Sequence, residues 1–304
     1  MKVAVVGAGA MGSLFFYLFS QAGYSPWLLD KCQERVDTLK KDGLRVEGVT
    51  GTHHCVLDKI TTDPEEIGTV ELLIIFVKAY DTEVALQGAA SLISDDTRVL
   101  TLQNGLGNLE KIVSIAGPNR AIGGTTAHGA TQLSHNHIRH AGIGETTIGA
   151  LKGGEVKGIN NIKKMLDSCG IKTTVTDDLE GTLWSKLVVN AAINPLTAIT
   201  QLKNGEIIEH AELLDVQRRI VEETCAVAKA KAITIHYSDP VEKVKDVCRA
   251  TASNKSSMLQ DIINGNKTEI NYITGAIVSE GDKHTIPVPY NDIMTRLVSA
   301  LEIR

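Results

Sequence analysis

Four apolar residues, Val3 to Val6, run straight into Gly7-Ala8-Gly9-Ala10-Met11-Gly12, and a helix-like segment continues to Ala22. A strand that turns sharply into a helix through three spaced glycines opens a βαβ unit, which restricts the fold more than any other feature of the chain. Gly7 makes the tight turn, Gly9 lets the backbone approach a pyrophosphate, and Gly12 lets the helix pack closely against the strand. Free amides at that helix N-terminus then face the anion. The segment Gly7, Ala8, Gly9, Ala10, Met11 and Gly12 is therefore the expected dinucleotide-binding loop, against the plainer reading of a glycine-rich turn. Asp30 closes the second strand, 18 residues beyond Gly12, where a carboxylate accepts hydrogen bonds from the ribose of NAD and repels a 2′-phosphate. Lys31 and Arg35 follow it, and these cations pair with a 2′-phosphate if Asp30 points away. On these residues NAD and NADP both stay open, as does a strand-end Asp in a solvated turn.

At 304 residues the chain is about twice the usual domain length, so two domains are expected. Val3–Val6, Trp27–Leu29, residues 72–77 and 98–102 read as strands, with helical or turn segments at 12–22, 67–70 and 82–92. Past residue 120, His137–His140, residues 146–151 and 172–175 read as strands that complete the same domain, after a helix at 156–168. From Asp178 the β signal nearly vanishes. Helical stretches follow at 179–193, 209–230, 240–252, 257–263, 269–280 and 289–302. The expected fold is α/β: a Rossmann-type dinucleotide-binding domain over residues 1–177, followed by an all-helical substrate and catalytic domain over 178–304.

Composition excludes several classes. With 31 basic against 36 acidic residues and a net charge of -5, nothing favours nucleic acid as a partner. No apolar run has membrane-span length and no secretory leader is recognisable, so a cytosolic protein is expected. Five cysteines at long spacings, without a C-x-x-C pair, favour neither a disulfide framework nor a metal site.

The segment Trp184 to Ile199 is apolar nearly all round except at Lys186, Asn190 and Asn194, whose spacing of four puts them on one helical face, about 6 Å apart per step. Burying a lysine with two amides makes sense where the stripe lines a cavity for a polar ligand. Desolvation lowers such a lysine's pKa toward neutrality, as a general acid or base requires. The plainer reading is a snorkelling lysine with capping or core asparagines. Pro195 is expected to break the helix just after Asn194.

Taken together, G-A-G-A-M-G at 7–12, F-V-K-A-Y at 76–80, L-Q-N-G-L-G-N at 102–108, W-S-K-L-V-V-N-A-A-I-N-P-L-T-A at 184–198, S-S-M-L-Q-D-I at 256–262 and T-E-I-N-Y-I-T-G at 268–275 resemble the ketopantoate reductase family. The resemblance implies NADPH-dependent reduction of 2-dehydropantoate (ketopantoate) to (R)-pantoate, on the route to pantothenate and coenzyme A. It implies that Lys186 is the catalytic lysine and Glu269 the active-site glutamate. Asn190, Asn194 and Ser257 fall on substrate-binding positions, Asn104 on the cofactor and substrate junction, and Lys78 near the cofactor. Many NADPH-using members carry an arginine where this chain has Asp30 and Lys31, so NADH stays open. A monomer or homodimer is expected.

Read by themselves, Asn104-Gly105 follow a strand at the ligand-binding end of the sheet but also form a common turn pair, and Lys78 is either a site residue or an exposed lysine. Ser257 with Gln260 fits a capping box, S-x-x-Q, or receives a substrate carboxylate. Glu269 opens a helix after Asn264-Gly265-Asn266, where it complements the dipole if it has no other role. His128 reads as a turn residue, and His135, His137 and His140 as surface. Two other readings stand beside the reductase: another 2-oxoacid or 3-hydroxyacid reductase of the same architecture, and a non-catalytic NAD(P) sensor.

Overall fold

The computed structural model describes residues 1–151, 154 and 156–302, and the chain divides into two units, Met1–Gln103 with Asn108–Leu179, and Asn104–Gly107 with Glu180–Arg304. In the first, β1 (Val3–Val6) is apolar and wholly buried, as a strand covered on both faces must be. After it come α1 (Ala10–Gln21), β2 (Trp27–Leu29), α2 (Gln33–Asp42), β3 (Leu44–Gly48), β4 (His53–Cys55) and β5 (Ile60–Thr61). The unit continues through β6 (Leu72–Ile75), α3 (Thr82–Gly88), β7 (Arg98–Thr101), α4 (Asn108–Ala116), β8 (Ala121–Thr126) and β9 (Gly129–Ser134). It ends with β10 (His137–Gly142), β11 (Thr146–Gly149), α5 (Ile159–Ser168) and β12 (Thr173–Val175).

Eight strands form one sheet in the order β12-β11-β8-β7-β6-β1-β2-β5. β1 pairs in parallel with β2 on one side and β6 on the other, so the winding reverses at β1 and the loop after it lies at the switch point of a doubly wound sheet. The other four strands make a second sheet, β4-β3-β10-β9. His137–His140, expected as a strand that completes the first domain, belongs to this second sheet. β10 pairs with β3 and β9, and its alternation of buried Ile138 and His140 with exposed Arg139 suits a sheet covered on one face, here by α1. Residues 67–70, read as a helical or turn segment, form a turn at Ile67 and irregular chain after it, behind the 3-10 turn Pro64–Glu66.

The second unit carries α6 (Leu179–Thr200), α7 (Ala211–Ala230), α8 (Pro240–Ala250), α9 (Ser257–Ile263), α10 (Thr274–His284) and α11 (Pro289–Leu301). Its core is built on α6, with Trp184, Leu187, Val188, Ala191, Ala192 and Leu196 all buried. α6 runs through Pro195 instead of stopping at it. Side-chain donors support the carbonyls around the interruption: Thr197 Oγ1 reaches Ile193 O at 3.1 Å and Asn194 O at 2.9 Å, and Gln217 Nε2 reaches Ala192 O at 3.3 Å. The carbonyl that loses its N–H to Pro195 is Ala191 O, which these bonds do not reach, so it is the core packed on nearly every side of α6 that carries the helix across the proline. Among the described residues no helix is long and apolar enough to cross a membrane.

His128 and His140, read as turn and surface residues, are both buried, with His140 only 1% exposed. Their rings stack at 5.4 Å and share a hydrogen bond, Nδ1 of His128 to Nε2 of His140 at 3.2 Å, which needs at least one neutral ring. Burial, with His140 adding to it, lowers the His128 pKa from 6.5 to about 4. The unfolded chain therefore takes up this proton first as the pH falls, so stability is full above 6.5 and is lost progressively toward 4. Thermal unfolding followed across that range should show a loss of up to about 3 kcal/mol from this group. His128→Leu should flatten that dependence, and an unchanged slope would place the acid sensitivity elsewhere.

Candidate active site

In the sheet unit, the glycine loop follows β1. Gly7 has φ +100°, open to glycine and strained for other residues, and a Cβ there would meet Val77 N at 2.9 Å. A Cβ on Gly12 would collide with the Gly7 carbonyl oxygen, so this close packing of helix and loop requires glycine. Gly9 is different: a Cβ built there meets nothing within 4 Å. The cradle over Gly9, at the N-terminus of the twelve-residue α1, is open in the way a dinucleotide pyrophosphate requires, so Gly7, Ala8, Gly9, Ala10, Met11 and Gly12 fit that group.

Asp30 is buried at the end of β2, not solvated. One carboxylate oxygen accepts the Ala8 N–H at 2.6 Å and an Arg35 Nη1 hydrogen at 2.9 Å, while the other accepts Cys32 N–H at 2.9 Å. The side chain thus ties the strand end to the glycine loop, and Arg35 balances its charge. Lys31 is exposed and pairs with Asp81 at 2.8 Å. Lys78 follows β6 with an extended backbone, before the 3-10 turn Ala79–Asp81, and is half-buried. Beside it, Gln103 donates to Val77 O at 2.5 Å and to Thr82 Oγ1 at 2.9 Å, and Thr82 in turn donates to Asn108 Oδ1 at 3.0 Å. Reading the sequence missed Gln103, and it took Arg35 as a partner for a 2′-phosphate instead of for Asp30, because nothing in a linear pattern shows which strand-end amides and cations meet.

Asn104 belongs to the helical unit with Gly105, Leu106 and Gly107. Leu106 N–H donates to Tyr272 O at 2.9 Å, and Gly105, at φ +80°, lies so close that a Cβ would run into the same carbonyl. Asn104 is thereby held against the segment that begins at Glu269. Gly105→Ala meets both the collision and the left-handed backbone, and should destabilise the protein by about 1–3 kcal/mol in denaturant titrations. A loss below about 0.5 kcal/mol would show that the loop shifts freely.

On α6, Lys186, Asn190 and Asn194 share one face as the spacing requires. Lys186 is half-buried; desolvation pulls its pKa from 10.5 down to about 8, and the Glu269 carboxylate partly holds it up. Glu269 is only 8% exposed. It precedes the 3-10 turn Ile270–Tyr272 without capping it by its side chain, so α10 begins five residues later than the sequence pattern implies and the dipole reading falls away. Asn194 is 7% exposed, and among the described residues neither its carboxamide nor that of Asn190 bonds to another protein group. Asn190 is half-buried, and neither carboxamide is among the fully buried unpartnered atoms, so water or a ligand can satisfy both. The capping box is corrected by one residue: Ser256, not Ser257, caps α9, accepting Leu259 N–H at 3.0 Å, while Gln260 bonds to Lys255 O. Ser257 is left with an exposed hydroxyl.

A doubly wound sheet with an open glycine loop, in one chain with a helical unit that holds a lysine of lowered pKa beside a buried carboxylate, defines a two-domain dinucleotide-dependent oxidoreductase. The ketopantoate reductase PanE/ApbA pattern matches residues 3–153 and its C-terminal counterpart residues 178–302. A 2-dehydropantoate 2-reductase of Halobacterium salinarum is 35% identical over 298 residues, covering 98% of each chain. Among solved structures, a D-mandelate dehydrogenase with NADH and anilino(oxo)acetate superimposes with a TM-score of 0.93 at 30% identity, covering 100% of this chain and 98% of that one. A 2-dehydropantoate 2-reductase from Geobacter metallireducens gives 0.92 at 26%, covering 99% of both. This chain belongs to the ketopantoate reductase family.

Proposed function

We propose that the chain reduces 2-dehydropantoate to (R)-pantoate with NADPH. The observation that carries this reading is the stripe on α6: a half-buried ammonium with a pKa of about 8, opposed by Glu269, in line with two carboxamides that lack protein partners among the described residues. The relatives named for this reaction supply the substrate. Gly7, Ala8, Gly9, Ala10, Met11 and Gly12 would hold the pyrophosphate of the reduced dinucleotide, which would supply the hydride. Lys186 Nζ holds the proton that goes to the developing alkoxide, and its charge stabilises that oxygen as it forms. Asn190, Asn194 and Ser257 orient the carboxylate and distal hydroxyl, and Asn104 serves where cofactor and substrate meet. Glu269 keeps Lys186 protonated near neutral pH or holds a substrate hydroxyl. The five cysteines are free thiols, which supports a reducing, cytosolic setting.

Lys186→Ala should lower turnover by about two to four orders of magnitude with cofactor binding by fluorescence near normal. A variant keeping more than about a tenth of wild-type turnover would put the acid elsewhere. Because the protonated lysine is the active form, kcat/KM should fall as the pH rises through about 8. Glu269→Gln removes the charge that favours the ammonium, so its limb should move to lower pH; a limb that stays put would mean that Glu269 does not tune Lys186.

The NADPH preference rests on Lys31, exposed at the strand end, and on Arg35 cancelling the Asp30 charge. Lys31→Ala should raise the Michaelis constant for NADPH and leave that for NADH unchanged. The opposing reading, NADH, has in its favour the Asp30 carboxylate and the NADH in the mandelate dehydrogenase structures. It predicts instead that Asp30→Ala improves NADPH. In a substrate panel, ketopantoate should outrun pyruvate widely, and faster oxidation of mandelate than of pantoate would overturn the substrate assignment.

A further inference from the structure

Two hydroxyls that no part of the proposed chemistry uses connect the segments that carry Asn194 and Ser257. Thr197 is fully buried on α6 and Ser256 nearly so at the start of α9, 59 residues apart in sequence, and their Oγ atoms lie 2.6 Å apart. Each hydroxyl has one proton to give. Thr197 lies within reach of two carbonyls, Asn194 O at 2.9 Å and Ile193 O at 3.1 Å, which can only accept. Ser256 accepts Leu259 N–H at 3.0 Å, and among the described residues its proton has no acceptor other than Thr197. One orientation satisfies every group: Leu259 N–H to Ser256, Ser256 O–H to Thr197, Thr197 O–H to the Asn194 carbonyl. Hydrogen bonds that run in one direction through buried hydroxyls polarise and strengthen one another.

We propose that Thr197 and Ser256 are positioning residues that fix the separation between Asn194 and Ser257, and so set the fit to a substrate carrying a carboxylate at one end and a hydroxyl at the other. The relay ends on the main chain of Asn194, and Ser257 is joined directly to Ser256, so the backbone that carries the amide and the backbone that carries the hydroxyl cannot separate without breaking a buried bond. Pro195, next to Asn194, adds to the constraint by fixing φ on the other side of that carbonyl. This inference rests on the reading of Asn194 and Ser257 as substrate-binding residues.

The test compares ketopantoate with trimethylpyruvate, the same 2-oxoacid without the distal hydroxyl. Thr197→Val keeps the shape but removes the relay; it should raise KM for ketopantoate about tenfold, the effect of about one misplaced hydrogen bond. The KM for trimethylpyruvate, the cofactor KM and kcat should stay within about twofold, so that discrimination between the two acids collapses, and Thr197→Ser should restore it. Ser256→Asp preserves the cap on Leu259 but has no proton to pass on, so it should behave like Thr197→Val; a purely structural cap would leave it like wild type. It also decides the matter if Thr197→Val does not fold. Unchanged discrimination in both variants overturns the proposal while Asn194→Ala and Ser257→Ala still raise KM. If those two substitutions also leave KM unchanged, the substrate-binding reading falls and the proposal with it.

Discussion

An ammonium held on an otherwise apolar helix is the constraint around which the helical unit is arranged. Lys186 on α6 loses hydration, and its pKa moves down to about 8 as a result. An uncompensated charge in that position would cost several kcal/mol, and proteins retain one where an opposite charge or a ligand answers it. Glu269 answers it here, delivered by a segment more than eighty residues away along the chain and pinned through Tyr272 to Leu106. The rest of α6 can then be apolar, because Trp184, Leu187, Val188 and Leu196 form the core that holds the lysine at a fixed depth.

The sheet unit has the opposite economy of space: what matters is where side chains are absent. Gly12 lets α1 sit on the Gly7 carbonyl, Gly7 turns the chain under Val77, and Gly9 leaves a void above the backbone. Asp30 then fixes this loop against β2 through the Ala8 amide. A single carboxylate thus serves as a brace for the loop and as a charge at the end of the second strand, with Arg35 opposing it.

Much of this was legible in the linear pattern, for a reason specific to each element. Val3–Val6 and its glycines could be read because strand, turn and helix there are all local, and the function of each glycine follows from backbone sterics. The spacing of Lys186, Asn190 and Asn194 was legible because helical periodicity is local too. The second sheet escaped notice: β3, β4, β9 and β10 are short, rich in polar residues, and paired with partners as distant as Leu44–Gly48 and His137–Gly142. Pro195 misled because its local preference is to end a helix, while the core packed around α6 keeps it going.

By itself the sequence determined which residues carry polar chemistry and on which faces of which elements they stand, since these follow from backbone geometry and periods of two or about 3.6 residues. The tertiary structure alone decided which of them meet. Glu269 reaches the charge of Lys186, Asp30 turns to Ala8 instead of to solvent, Ser256 takes the cap from Ser257 and bonds Thr197, and His128 stacks on His140 in the interior. Apart from the Ser256 cap on Leu259, each of these joins groups separated by 12 or more residues. Their energies are set by burial and by the exclusion of water, quantities that exist only once the chain has closed on itself.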